Sequence, residues 1–208
     1  MRHVNPASPL HRLLLVPGVA LVLAACSSGG QSPAAASAPI SALPVGSLAP
    51  DASGGTTTGD IPDNAVFLTY QSANPAFAIQ YVEGWQITPQ PAGVAIRDKD
   101  SSETVAIVGS KADVAGYVAS TDLPALQAQA GFQLVQQDTF TAGAASYIHV
   151  AYHVTSPPDA VTGKQVALAV DRYYVPGSGG LAIVTLATPS GVDNIDQFHR
   201  MIASFAWS

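Results

Sequence analysis

Over the last two-thirds of the chain, apolar side chains alternate with small or polar ones at the period of a β-strand. Phe77-Ala78-Ile79-Gln80-Tyr81 sets Phe77, Ile79 and Tyr81 on one face. Ala65–Tyr70 is predicted as the strand before it, and Trp85–Thr88 resumes after a break at Glu83-Gly84. Val94–Ile96 and Thr104–Val108 flank a charged turn and read as a hairpin. Longer strands are predicted at Phe132–Thr139, Ala145–Val154, Gln165–Val175 and Leu181–Ala187. Pro157-Pro158-Asp159, Gly163, Pro176-Gly177 and Gly179-Gly180 punctuate the loops.

The period changes twice. From about Lys111 to Ala130 it is helical, with Val114, Tyr117 and Val118 on one stripe. Pro124 predicts a break there, with a second short helix holding the proline in its first turn, and Gly131 predicts its C-terminal cap. Near the C-terminus, Val192, Ile195, Phe198, Ile202 and Phe205 recur at helical spacing. Ser190 and Asp193 resemble a capping box at the start of that helix, with Asp in place of Glu. Strands, helix, strands, helix predict an α+β domain: helices layered on a mainly antiparallel sheet.

The first third is patterned otherwise. Arg2 and Arg12 are followed by an apolar run, Leu13 to Ala25, of 13 residues. That falls short of the ~20 residues a spanning helix needs. It ends in Leu23-Ala24-Ala25-Cys26 and then Ser27-Ser28-Gly29-Gly30, which resembles the lipobox of bacterial lipoproteins. The resemblance implies a diacylglycerol on the thiol of Cys26, cleavage before it, and an acyl chain such as palmitate on the new amine. Residues 1–25 are thus expected to be a signal peptide and Cys26 a membrane anchor. Two or more acyl chains hold stably where one holds marginally. Ser27 is not the aspartate associated with inner-membrane retention, so outer-membrane sorting stays open in a two-membrane cell.

Residues 26–63 are Ala, Ser, Pro, Gly and Thr with almost no large apolar side chain. Such a segment buries too little surface to offset its chain entropy and reads as a disordered tether. Its r.m.s. span is roughly 30–36 Å. Residues 64–208 are expected to form one domain, a size that needs no covalent staple.

Composition removes some function classes. The 208 residues carry a formal charge of −6, and only 11% are charged. Of eight Lys and Arg residues, two lie before Cys26, leaving six against 14 acidic residues and a net charge of −8. This argues against a nucleic-acid partner. Attachment to an anionic membrane must then come from the acyl chains. A single cysteine allows no internal disulfide.

Phe77–Trp85, Gly93-Val94-Ala95-Ile96-Arg97-Asp98, Tyr173-Tyr174 with Ala182–Leu186, and Ile202-Ala203-Ser204-Phe205 together resemble the PsbP-like domain family. That family includes photosystem II PsbP-related proteins and many bacterial lipoproteins, and LpqN-type actinobacterial lipoproteins are similar. The resemblance spans about Phe67 to Trp207 and rests on packing motifs. It implies an α/β/α sandwich around an antiparallel sheet, and a scaffold or accessory role. No metal or partner residue of the family maps onto this chain.

Candidate chemistry is sparse. Asp98–Glu103 has oxygen ligands at alternating positions, as a calcium loop does. It lacks that loop's glycine and final glutamate, and a solvated hairpin turn accounts for it. His149 and His153 share a strand face but lie about 13 Å apart, so they chelate an ion only if His199 or Asp171 converges. Gly177–Gly180 lacks the Lys-Ser/Thr of a phosphate loop and reads as a hairpin turn. Neither a G-x-S-x-G elbow nor H-E-x-x-H occurs. Trp85, Tyr173, Tyr174 and Trp207 are the aromatic candidates for a ligand or partner groove, with core packing as the competing role.

The resulting expectation is a non-enzymatic extracytoplasmic lipoprotein of the cell envelope. It is tethered through Cys26 and binds a protein partner, with no cofactor and no metal site assigned. A small-ligand or metal carrier with a pocket between sheet and helix is the alternative. A photosystem-II-type accessory factor is another if the source is photosynthetic. A hydrolase assembled from scattered Ser, His and Asp is the third.

Overall fold

A computed structural model describes residues 58–208. The expected signal peptide, the Leu23–Cys26 motif and most of the tether lie outside the described residues. Strands β1 (Phe67–Ala73) and β2 (Ala76–Val82) form a hairpin, joined at its open side by a short last strand, β10 (Ala206–Trp207). The remaining strands are β3 (Gln86–Gln90), β4 (Gly93–Asp98), β5 (Ser101–Val108), β6 (Gln133–Ala142), β7 (Ala145–Thr155), β8 (Ala167–Gly177) and β9 (Gly180–Pro189). They make a seven-stranded sheet in the order β3-β4-β5-β9-β8-β7-β6. Every strand pairing is antiparallel.

Helix α3 (Ile195–Ala203), with β2 beside it, covers one face of the large sheet. Phe198, Met201 and Ile202 pack there with Phe77 and Ile79 from β2, against Val94, Ile96, Val105, Tyr173 and Val184. The opposite face carries a second core. Val118 and Leu126 from a helical run cover Val150, Tyr152, Val170, Tyr174 and Ile183. Helices on both faces of an antiparallel sheet give the α+β, α/β/α layering that the sequence pattern and the family resemblance predict, with a small sheet added to one outer layer.

The helical run is α1 (Val114–Tyr117), a π-helical turn (Val118–Asp122) and α2 (Leu123–Gln127). The break predicted at Pro124 is thus a widened turn, and Leu123 N–H reaches back to Val118 O. A proline ring collides with the carbonyl four residues earlier, here that of Ser120, and a wider turn relieves this. Ser120 Oγ donates instead to Gly116 O at 2.6 Å. Asp113 caps the run, accepting from Gly116 N–H at 2.8 Å.

Helix α2 is capped at Ala128, three residues before the Gly131 expected there. Four further expectations change. The capping box at Ser190 and Asp193 does not form: the cap of α3 is Asn194, whose side chain turns inward. It accepts from Ile61 N–H at 2.9 Å and donates to Gly59 O at 2.9 Å and Thr188 Oγ1 at 3.0 Å. Those contacts change the second expectation. Gly59 and Ile61, assigned by composition to the tether, are held on the domain, with Ile61 in the core. A single large apolar residue with a side-chain partner 133 positions away is invisible to local composition. Thirdly, Ile195 lies exposed although it belongs to the apolar stripe of α3. Fourthly, the six-residue charged turn shrinks to a two-residue hairpin loop, Lys99-Asp100, with Lys99 in the left-handed region at φ 50°.

Gly177–Gly180 is the β8–β9 hairpin turn, as expected. Its glycines have a further reason: Trp207 packs across Gly177 and Gly179 so closely that a Cβ at either would collide with the indole.

Candidate functional site

Strand β6 is the outer strand of the large sheet, and it is unusually bare. Seven consecutive residues, Gln133 to Thr139, are exposed. Successive side chains point to opposite faces, so neither covering layer shields these seven residues. The opposite edge strand, β3, is equally exposed but has five residues and contains Pro89. Proline, lysine and short length are the usual protections of a sheet edge. Ten-residue β6 has neither Pro nor Lys, one charge at Asp138, and a register irregularity at Val135. Leu134 and Val135 are 47% and 59% exposed.

Beside β6, on the α3 face, lies a polar cluster contributed by three strands. His149 on β7 places Nδ1 2.8 Å from Asp138 Oδ1 and Nε2 2.8 Å from Asp171 Oδ1. Carboxylates only accept, so both contacts are made together when the ring is protonated. It stacks on Tyr173 at 4.6 Å between centroids. Partial burial pushes the His149 pKa down, but the hydrogen bonds and charges of Asp171 and Asp138 outweigh this and hold it above 6.5. The stability this ring gains in the fold is complete below about pH 6.5. It is lost as pH rises through the raised folded value. His149→Gln is expected to flatten that part of a melting-temperature-versus-pH curve. An unchanged curve would mean that the cluster does not form.

The two histidines take different partners. Asp171 does meet His149, but as a hydrogen-bond acceptor. His153 pairs separately with Ser190 Oγ at 3.2 Å, and His199 packs on Phe140. Among the described residues no group of His, Cys, Asp or Glu is arranged to hold a metal ion. The Ser190–His153 contact lacks the third group that orients the base of a triad among the described residues. Both nitrogens of His149 are occupied, and no carboxylate orients His153 among the described residues.

The aromatic candidates are placed otherwise than the groove reading needs. Tyr173 and Tyr174 do point to opposite faces, but both faces are covered there, and they are 1% and 0% exposed. They belong one to each core. This corrects their assignment as groove residues. Trp85 is largely buried but lines a hollow of about 250 Å³ with Gly59, Asp60, Glu83, Asp98 and Ser101.

Two features escaped the sequence reading. Glu103 is fully buried on β5, and neither carboxyl oxygen has a hydrogen-bond partner. The signal was present: Glu103 shares a strand face with Val105 and Ile107. The other is an ion pair beneath the π turn. Arg172 donates through Nε to Asp122 Oδ2 at 2.8 Å and through Nη2 to Oδ1 at 3.0 Å.

No family model and no curated protein matches the sequence. Solved structures of similar course include the cyanobacterial PsbP (CyanoP) of Synechocystis sp. PCC 6803. It is 16% identical with a TM-score of 0.47, over 72% of this chain and 98% of that one. The Ran-binding protein Mog1p of Saccharomyces cerevisiae is 11% identical with a TM-score of 0.47, over 69% and 96%. LpqN of Mycobacterium tuberculosis, involved in cell envelope biogenesis, is 15% identical with a TM-score of 0.36, over 68% and 86%. These likenesses concern the path of the chain, and no residue role is taken from them. Among the described residues no helix is long and apolar enough to cross a membrane.

Proposed function

We propose that the protein is a non-enzymatic accessory lipoprotein that presents a binding domain on the outer side of a membrane. Cys26 carries the anchor, cut from its signal peptide after Ala25, and residues 27 to about 58 form the tether. The reading is supported by the order of charge, apolar run, small residues and cysteine in residues 1–30. The observation that carries the binding role is β6. A ten-residue edge strand, exposed on both faces over Gln133–Thr139 and without Pro or Lys, offers its free backbone groups to an added strand. Its occupant is an extended segment of another envelope protein. That segment is free of acidic side chains, since the strand's own charge is Asp138 on a domain of net negative charge.

A photo-crosslinking residue at Val135 in the full lipidated chain tests this in native membranes. One dominant adduct is expected, absent when the crosslinker sits at Val161 in the β7–β8 loop. Leu134→Lys with Val135→Lys should abolish partner capture while shifting stability by no more than about 0.5 kcal/mol, as surface changes do. Capture that survives this double change overturns the β6 reading. Cys26→Ser should release the chain from membranes, and continued membrane retention overturns the anchor.

A further inference from the structure

Two hollows adjoin on the face of the large sheet that carries the π turn, and their chemistry changes from one end to the other. The first, of about 300 Å³, is a trough along β8. Leu168, Val170 and Arg172 alternate onto this face, with Tyr152, Val154 and Ala187 on neighbouring strands. The trough is mainly apolar. At its inner end Arg172 is already committed, to Asp122 and, through Nη1, to Thr185 Oγ1 at 2.8 Å. At its outer end lie Ser156, Pro157 and Leu168, and these three also line the second hollow, of about 370 Å³. The two therefore adjoin across these residues, and each has the size of an ordinary small-molecule site, roughly 300–1,000 Å³.

The second hollow is cationic. Arg97, Lys99 and Lys164 line it, and none forms an ion pair among the described residues. They are half of the six basic residues that follow Cys26. Asp100 and Asp159 also border it. Asp159 is turned into its own loop, where Oδ1 accepts from Val161 N–H, Thr162 N–H and Thr162 Oγ1 at 3.1, 2.7 and 2.8 Å. An acidic domain that gathers its cations at the mouth of an apolar trough has the polarity of an amphiphile site.

We propose that this groove binds a single-chain anionic amphiphile. Its apolar chain lies along β8, and its phosphate head sits among Arg97, Lys99 and Lys164. The groove faces away from His149 and does not involve the backbone edge of β6. The inference therefore stands apart from the partner-binding reading, and either can fail alone. The chemistry of the head is shared by free phosphate and a lipid headgroup, and the test separates them.

The full chain with Cys26→Ser, secreted without its lipid, is titrated calorimetrically with dodecyl phosphate below its micelle concentration. Saturable one-to-one binding is expected. Inorganic phosphate alone should bind at least about a hundredfold more weakly, since it lacks the buried chain. Dodecyltrimethylammonium, with the opposite charge, should not bind. Lys99→Glu with Lys164→Glu, both at exposed positions, should weaken dodecyl phosphate about tenfold or more. Leu168→Trp, which narrows the junction of the two hollows, should weaken it independently of head charge. Binding unchanged by the double lysine substitution overturns the proposal. So does equal binding of inorganic phosphate, which would mean an anion site without the trough, or equal binding of the cationic amphiphile, which would mean unspecific adsorption.

Discussion

Asp122→Ala is expected to lower the unfolding free energy by about 3–5 kcal/mol, as removal of one member of a buried ion pair does. Three donors converge on this carboxylate: Nε and Nη2 of Arg172, and the hydroxyl of Tyr174. The Asp122 and Arg172 side chains are only 11% and 18% exposed. Without Asp122, a guanidinium and a phenol are left in the second core with no acceptor from the π turn. The pair is also structural in a plain sense: it ties the helical run to β8, 50 residues away. Arg172→Met is expected to cost a similar amount, because the carboxylate is then stranded. The double variant Asp122→Ala, Arg172→Met should lose less than either single change, since no unpaired charge remains buried. Urea unfolding checks all three. Single variants within 1 kcal/mol of the parent would show that the pair is hydrated and contributes little.

This network shows where the sequence stops being readable. The helical stripe Val114, Tyr117, Val118 and the interruption near Pro124 follow from local spacing. The form of the interruption does not. A proline says that the turn must yield, but not that it widens into a π turn that carries Asp122 to Arg172. The strands behave alike. Alternation fixes which side chains share a face, so Tyr173 and Tyr174 are correctly placed on opposite faces. Whether a face is covered is a tertiary fact, and both faces are covered there. The same limit explains Ile61 and Asn194, which find each other across 133 positions. It also explains His149, whose two carboxylates come from strands on either side. The strand β10 has two residues, too few for any period to show. The β6 edge was half visible: Phe132–Thr139 reads as a strand, but its place at the sheet's edge follows from pairing order alone.

The remaining large effect lies at Glu103. Its carboxyl is enclosed on β5 between the backbone positions of Ile96 and Leu186, with Val105 next along the same face. No donor reaches either oxygen. Burial pushes its pKa well above the ordinary 4.5. The folded state thus prefers the protonated acid. The sign of the pH dependence follows: stability is complete below about pH 4.5 and falls as pH rises through the raised folded value. This decline starts on the acid side of the His149 window, and comparing the Glu103→Gln and His149→Gln curves assigns each part. Glu103→Gln keeps the shape and removes the titration, and should flatten the lower part. Glu103→Leu also removes the unsatisfied polar atoms, and should stabilise the domain at pH 8 by about 1–3 kcal/mol or more. Chemical denaturation at pH 4.5 and pH 8 measures both. Should Glu103→Leu instead destabilise at pH 8, the carboxylate must have a bound partner of its own within the core.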